Sequence, residues 1–126
     1  MGYSIKTIAQ KTGLSQYTLR YYEREGVLPV VSRDEHGNRC FHDEDLELLS
    51  LIRCLKDTGM PIAEIKQFVA LSKEGLGTLP QQRKLLQEHK VQIAEKIKFF
   101  QSFAQKIDHK IAYFASLESE ANLKSK

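Results

Sequence analysis

Apolar positions along this chain change period several times, and glycines and prolines mark the changes. Gly13, Gly26, Gly37, Gly59, Gly75 and Gly77 each end a periodic stretch, while Pro29, Pro61 and Pro80 each begin one. The intervals predict a short helix over 4–12, a second over 15–25, a hairpin over 30–42, helices over 43–58 and 61–74, and a long helix over 80–116. For the hairpin, Val30 and Val31 favour a strand, residues 34–37 (DEHG) supply the turn, and Cys40 and Phe41 favour a return strand. Two strands alone are marginal in water, so this ribbon is expected to pack on its helical neighbours.

The last helix has the cleanest period. After Leu86, the residues Ile93, Ile97, Phe100, Ala104, Ile107, Ile111 and Phe114 fall at alternating steps of four and three, a heptad seam. A helix of about 35 residues is ~50 Å long, more than the preceding chain can cover. Packing of this helix on its own domain is one explanation; an intermolecular coiled coil fits the length better, so a homodimer is expected. The predicted organisation is a head over 1–75, with the hairpin at 30–42 and a second helix pair at 43–74, then a coiled-coil helix over 76–117. A polar, disordered tail over 118–126 completes it.

Bulk properties narrow the class only modestly. The 126 residues carry a net charge of +3, which by itself does not imply a nucleic-acid partner. Residues 1–42 hold six Lys/Arg against four Asp/Glu, and the segment after Gly75 holds nine against five. Between them lies an acidic stretch with Asp43, Glu44, Asp45 and Glu47. No apolar run is long enough to span a membrane, and the N-terminus lacks the layout of a signal peptide. A cytoplasmic protein is expected, in which Cys40 and Cys54 are not paired in a structural disulfide.

The first two helices carry the chemistry. Two helices crossing through a tight turn need small residues at the crossing, and Ala9 and Gly13 supply them, with Ile8, Leu14, Leu19 and Tyr22 directed at one core. Ser15, Gln16, Tyr17, Arg20, Tyr21 and Arg24 then remain on the outer face of the second helix. Glutamine suits adenine, arginine suits guanine, and tyrosine can donate to phosphate. An amphipathic helix with a solvated polar face explains the same pattern. The hairpin favours the nucleic-acid reading, because Arg33 and Arg39 flank its turn as a wing reaching the DNA backbone or minor groove requires.

The run TIAQKTGLSQYTLRYYEREGVLPVVSRDEHGNRCFHDEDL, followed by LLSLIRCLKDTGMPIAEIKQF and a long helix, closely resembles the MerR family of regulators over about residues 3–114. The resemblance implies a mainly α fold: a winged helix-turn-helix head with a small β-hairpin wing, a helix pair acting as a second wing, and a long antiparallel coiled-coil dimerisation helix. It implies recognition-helix contacts from Gln16, Tyr17, Thr18, Arg20 and Tyr21, and wing contacts from Arg33 and Arg39. Such dimers bind double-stranded promoter DNA with an overlong spacer. They kink and untwist it so that RNA polymerase meets both of its elements in register, at a deformation cost of ~1–10 kcal/mol. One departure concerns the wing, where the family's Gly-Tyr-Arg-x-Tyr reads Gly37-Asn38-Arg39-Cys40-Phe41. Asn38 can still bond a phosphate, whereas Phe41 lacks the hydroxyl.

Metal-sensing members of that family use cysteines at and beyond the dimerisation helix, and no cysteine follows Cys54 here. His36, Cys40 and His42 cluster in the wing without forming a four-ligand zinc set, and His89 and His109 read as surface or seam residues. No metal, cofactor or enzymatic activity is expected. Cys54, between Arg53 and Lys56, is the candidate sensor of oxidants or electrophiles, because neighbouring cations favour a thiolate. Its segment resembles the small single-cysteine, thiol- or aldehyde-responsive subgroup of NmlR/AdhR type. A buried structural cysteine is the competing explanation for Cys54, and an inert wing residue the competing explanation for Cys40. Two further alternatives are a MerR-type regulator answering a small metabolite or no effector, and, from another class, a coiled-coil protein-interaction module.

Overall fold

A computed structural model describes residues 2–28 and 31–124. The chain divides into two units, Met1–Leu86 and Gln87–Lys126. The first contains α1 (Ile5–Thr12), α2 (Gln16–Arg24), β1 (Ser32–Arg33), β2 (Arg39–Cys40), α3 (Asp43–Asp57), α4 (Ile62–Lys73) and a 3-10 turn at Leu76–Thr78. The last helix, α5 (Leu79–Lys124), begins in the first unit and forms the second.

Caps set the starts of the first three helices. Ser4 and Ser15 adopt extended backbone, and their hydroxyls accept the N–H of Thr7 at 3.1 Å and of Thr18 at 3.0 Å. At α3, the Asp45 carboxylate accepts the backbone N–H of His42 at 2.9 Å. Asp43, Glu44 and Asp45 in the first turn also suit the positive end of the helix dipole.

The turn between α1 and α2 explains Gly13. Its φ is +73°, a left-handed conformation that side chains disfavour. The Arg53 guanidinium from α3 donates to the Thr12 carbonyl beside it, and a Cβ on Gly13 would run into that guanidinium. Thr12 also donates its hydroxyl to the Ile8 carbonyl at 2.8 Å and accepts the N–H of Leu14 at 3.3 Å. The helix-turn-helix is thus fastened at its corner by its own threonine and by the third helix.

Ile8, Leu19 and Tyr22 are buried as the periodicity predicted, and they join Phe41, Leu49, Ile52, Leu55, Ile65, Phe68 and Val69 in one core. Leu14 and Ala9 pack against it, as do Leu85 and Leu86 from the start of α5. Leu86 therefore belongs to the core of the first unit and not to an exposed seam.

The hairpin is shorter than the expected 30–42. Its antiparallel strands pair only Ser32 with Cys40 and Arg33 with Arg39. Val30 lies outside the described residues, and Val31 is buried in the core rather than extended in the ladder. Asp34 closes the turn, its carboxylate accepting the N–H groups of His36 and Asn38 at 2.9 Å each. A bridge between Tyr3 and Phe41 ties the ribbon's base to the N-terminal segment. The Phe41 ring is 1% exposed, packed in the core and not presented on the surface of the ribbon.

The tail differs from expectation. Instead of a disordered stretch from 118, α5 continues to Lys124, since residues 118–124 (ESEANLK) contain no glycine or proline and end on a lysine that suits the helix C-terminus. At 46 residues the helix is about 70 Å long. Ile97, Phe100, Ile107, Ile111 and Phe114 are 53–69% exposed along it; Ile93 is half-buried and Ala104 exposed.

Candidate nucleic-acid interface

Helix α2 buries Leu19 and Tyr22 and so turns the opposite face outward. Tyr17 is 73% exposed there, and Arg20, Tyr21 and Arg24 are exposed beside it. Arg20 donates to the Gln16 side chain at 3.3 Å, and Arg24 lies over the Tyr21 ring. Ser15 and Thr18 are joined by a 2.8 Å hydroxyl bond and complete the cap. Gln16 and Thr18 are half-buried, so the most accessible groups are Tyr17, Arg20, Tyr21 and Arg24.

Beside this face lies a cleft of about 550 Å³, lined among others by Lys6, Arg20, Arg33, Asn38, Arg39 and Cys40. The structure thus brings one residue of α2 together with the three predicted wing residues. Four cations surround the cleft, and Asp34 is the one acidic residue in its lining. Such a concentration of positive charge suits a phosphodiester backbone. Lys6 was not anticipated from the sequence; its outward position on the first turn of α1 was the available signal. Glu23 was also missed, an acid within a basic helical face. Its Oε1 accepts the Arg39 Nε at 2.9 Å and the Arg33 guanidinium at 3.5 Å, and its Oε2 accepts the Val31 N–H at 3.0 Å.

Two family models match the chain: "MerR HTH family regulatory protein" over residues 3–71 and "MerR, DNA binding" over residues 46–117. The chain belongs to the MerR family of DNA-binding transcriptional regulators. It is 36% identical over 125 residues to an HTH-type transcriptional regulator of Haemophilus influenzae, covering 99% of this chain and 93% of that one. It is also 34% identical over 92 residues to the transcriptional regulator AdhR of Bacillus subtilis, covering 73% of this chain and 66% of the relative. Among solved structures it is similar to HiNmlR, a MerR family regulator lacking the sensor domain, bound to promoter DNA, with TM-score 0.83, 37% identity and 94% of each chain covered. A MerR family regulator from Listeria monocytogenes matches with TM-score 0.88 and 31% identity over 98% of this chain and 95% of that one. The relatives are transcriptional regulators, and the chain is not an enzyme.

Within this MerR fold the remaining candidates are dispersed. Cys54 is exposed on α3, outside the cleft. The cations beside it in sequence have other partners: Arg53 bonds Thr12 and Asp57, and the Lys56 ammonium lies 5.3 Å from the Tyr22 ring centroid. Both cations thereby help to hold α3 on the helix-turn-helix. Cys40 is half-buried on β2, His36 is exposed in the turn beside Glu35, and His42 precedes α3. No group of three or more His, Cys, Asp or Glu among the described residues is placed to hold a metal ion. His89 is buried and His109 exposed. Among the described residues no helix is long and apolar enough to cross a membrane.

On α5 the apolar surface is wider than the predicted seam. Phe99, Phe103, Tyr113 and Leu117 are 41–59% exposed, with Phe99 and Phe103 meeting edge to face at 4.6 Å. Their i, i+4 spacing was the signal for this flank.

Proposed function

We propose that this chain regulates transcription as a homodimer joined through α5, each head laying α2 in a major groove and its wing on the adjacent backbone of promoter DNA. The observation that carries the proposal is the juxtaposition of an exposed Tyr17–Arg20–Tyr21–Arg24 face with the cation-lined cleft between α1, α2 and the wing. The promoter-bound state of the similar HiNmlR supports the same partner for this chain. The exposed stripe on α5 supplies the surface a second copy would cover, as continuous exposed apolar area of that kind calls for a partner. Two heads on one duplex can bend and untwist the DNA between them, and RNA polymerase reads the consequence through the shared promoter.

A random duplex pool offered to the protein provides the test. Enrichment of a palindromic site, bound with an affinity that falls steeply with salt and is lost in a folded dimeric Arg20→Ala variant, is expected. A bound duplex with end-to-end fluorescence transfer unchanged from the free duplex removes the distortion step. A chain that enriches no duplex but pulls down a protein partner at any salt would instead be an interaction module.

A finer reading concerns switching by Cys54. Its exposure makes it accessible to electrophiles, and its neighbours Arg53 and Lys56 engage Thr12 and Tyr22 of the helix-turn-helix. An adduct on this thiol would act beside two struts of the DNA-binding element. A Cys54→Ser variant that answers aldehydes or oxidants as fully as the parent in a promoter reporter removes this reading and leaves a metabolite-responsive or effector-free regulator.

A further inference from the structure

Arg33 and Arg39 face each other across the two-residue ladder of the wing, so their predicted roles were alike. Their surroundings are not. The Arg39 side chain is 22% exposed and donates its Nε to Glu23 at 2.9 Å, a short charge-assisted bond. The Arg33 side chain is 47% exposed and touches the same oxygen only at 3.5 Å. The Glu23 side chain is 13% exposed and stands on α2, the helix that also carries Gln16, Tyr17 and Arg20.

From this geometry we infer that Glu23 is a positioning residue that sets the wing against the recognition helix, with Arg39 as its strut and Arg33 as the wing arginine that reaches phosphate. The inference rests on the DNA-binding reading above. One carboxylate spans the structure that needs fixing. Its Oε2 holds the N–H of Val31, at the entry to β1, and its Oε1 holds an arginine from each strand. Val31 is 4% exposed, so its N–H requires a protein partner. Among the described residues the ribbon is joined by two ladder pairs and the Asp34 N–H to Asn38 carbonyl bond, with one further bridge at its base, and a ribbon that short does not maintain an angle by itself. An exposed ion pair would contribute little. Here the carboxylate is largely shielded, one of its donors is a buried backbone group, and removing it leaves that group unpaired.

The inference opposes simple electrostatics, and that opposition is the test. Replacing Glu23 by glutamine removes a negative charge from a surface facing a polyanion, which on charge alone tightens binding. If Glu23 positions the wing, Glu23→Gln weakens binding by about tenfold, the scale of a lost charge-assisted bond. Binding is read by fluorescence anisotropy on the duplex enriched by the parent protein, over a salt series, with circular dichroism and sedimentation confirming a folded dimer. Arg33→Gln should lower the slope of log affinity against log salt by about one, as expected for one lost phosphate contact. Arg39→Gln should weaken binding to the extent of Glu23→Gln while leaving that slope unchanged, and the double variant should bind no worse than either single one. Glu23→Gln binding as tightly as the parent, or more tightly, overturns the inference, as does a slope lowered by about one in Arg39→Gln. If Glu23→Gln does not fold, the Arg39→Gln slope decides alone. Failure of the parent to bind any duplex refutes the DNA-binding reading itself, and is distinguishable because no variant is needed to see it.

Discussion

The dimer proposed through α5 yields a prediction whose size follows from the exposure of its apolar residues. Ile107 lies mid-way along the seam and is 60% exposed on the single chain. Burying an isoleucine side chain in full is worth ~1.5–3 kcal/mol, so covering the exposed share contributes about 1–2 kcal/mol. In a two-fold dimer every seam residue occurs twice, and alanine retains only the Cβ. Ile107→Ala should therefore cost ~2–3 kcal/mol per dimer, raising the dimer dissociation constant by about 30- to 150-fold. The substitution does not disturb the helix, since alanine is the strongest helix former. Sedimentation equilibrium over a concentration series measures the constant, and circular dichroism at high concentration checks the helix content. His109→Ala, exposed and off the seam by sequence register, serves as the control and should leave association unaltered. An Ile107→Ala protein that dimerises like the parent, or a monomeric one that binds duplex with full affinity and cooperativity, would refute the reasoning.

Three other outcomes follow from the fold. Ser15→Ala removes the cap of α2 and should lower stability by about 1 kcal/mol in urea unfolding, because the hydroxyl holds the Thr18 N–H; an unchanged midpoint would show that the cap is dispensable. Gly13→Ala forces a left-handed residue at a cost of ~1–2 kcal/mol and displaces the Arg53 guanidinium, so its melting temperature should fall further than that of Ser15→Ala. Tyr3 donates to the Asp43 carboxylate at 2.6 Å, and that bond, followed by the charge of Asp43, raises its pKa above the ordinary 10.0. The protonated phenol is the form the fold favours, so its contribution is complete below about pH 10 and is lost as pH rises through the raised folded value. Tyr3→Phe should flatten that alkaline decline in a pH series of urea unfolding; equal declines in both proteins would place its cause elsewhere.

The cleft shows how local rules and tertiary contacts divide the explanation. Helices α1 and α2, their serine caps and the glycine between them were legible because each depends on a few adjacent residues: a capping hydroxyl, an apolar period, a left-handed turn. The heptad on α5 was legible for the same reason, and so was the outward face of α2. The sequence alone thereby determined the helical head, the hairpin turn and the long apolar seam. It did not determine which polar groups meet. Glu23 and Arg39 are sixteen positions apart, and Arg53 lies forty-one positions beyond the Thr12 carbonyl it fastens. Such pairs follow from packing of α2, α3 and the wing around one core, which no local pattern encodes. Tertiary structure alone therefore assigned Arg39 to a strut, brought Lys6 into the cleft, moved Phe41 into the core and turned the neighbours of Cys54 to other work. A side chain's type fixes which bonds it can make, but the partner it finds is set by the fold that surrounds it.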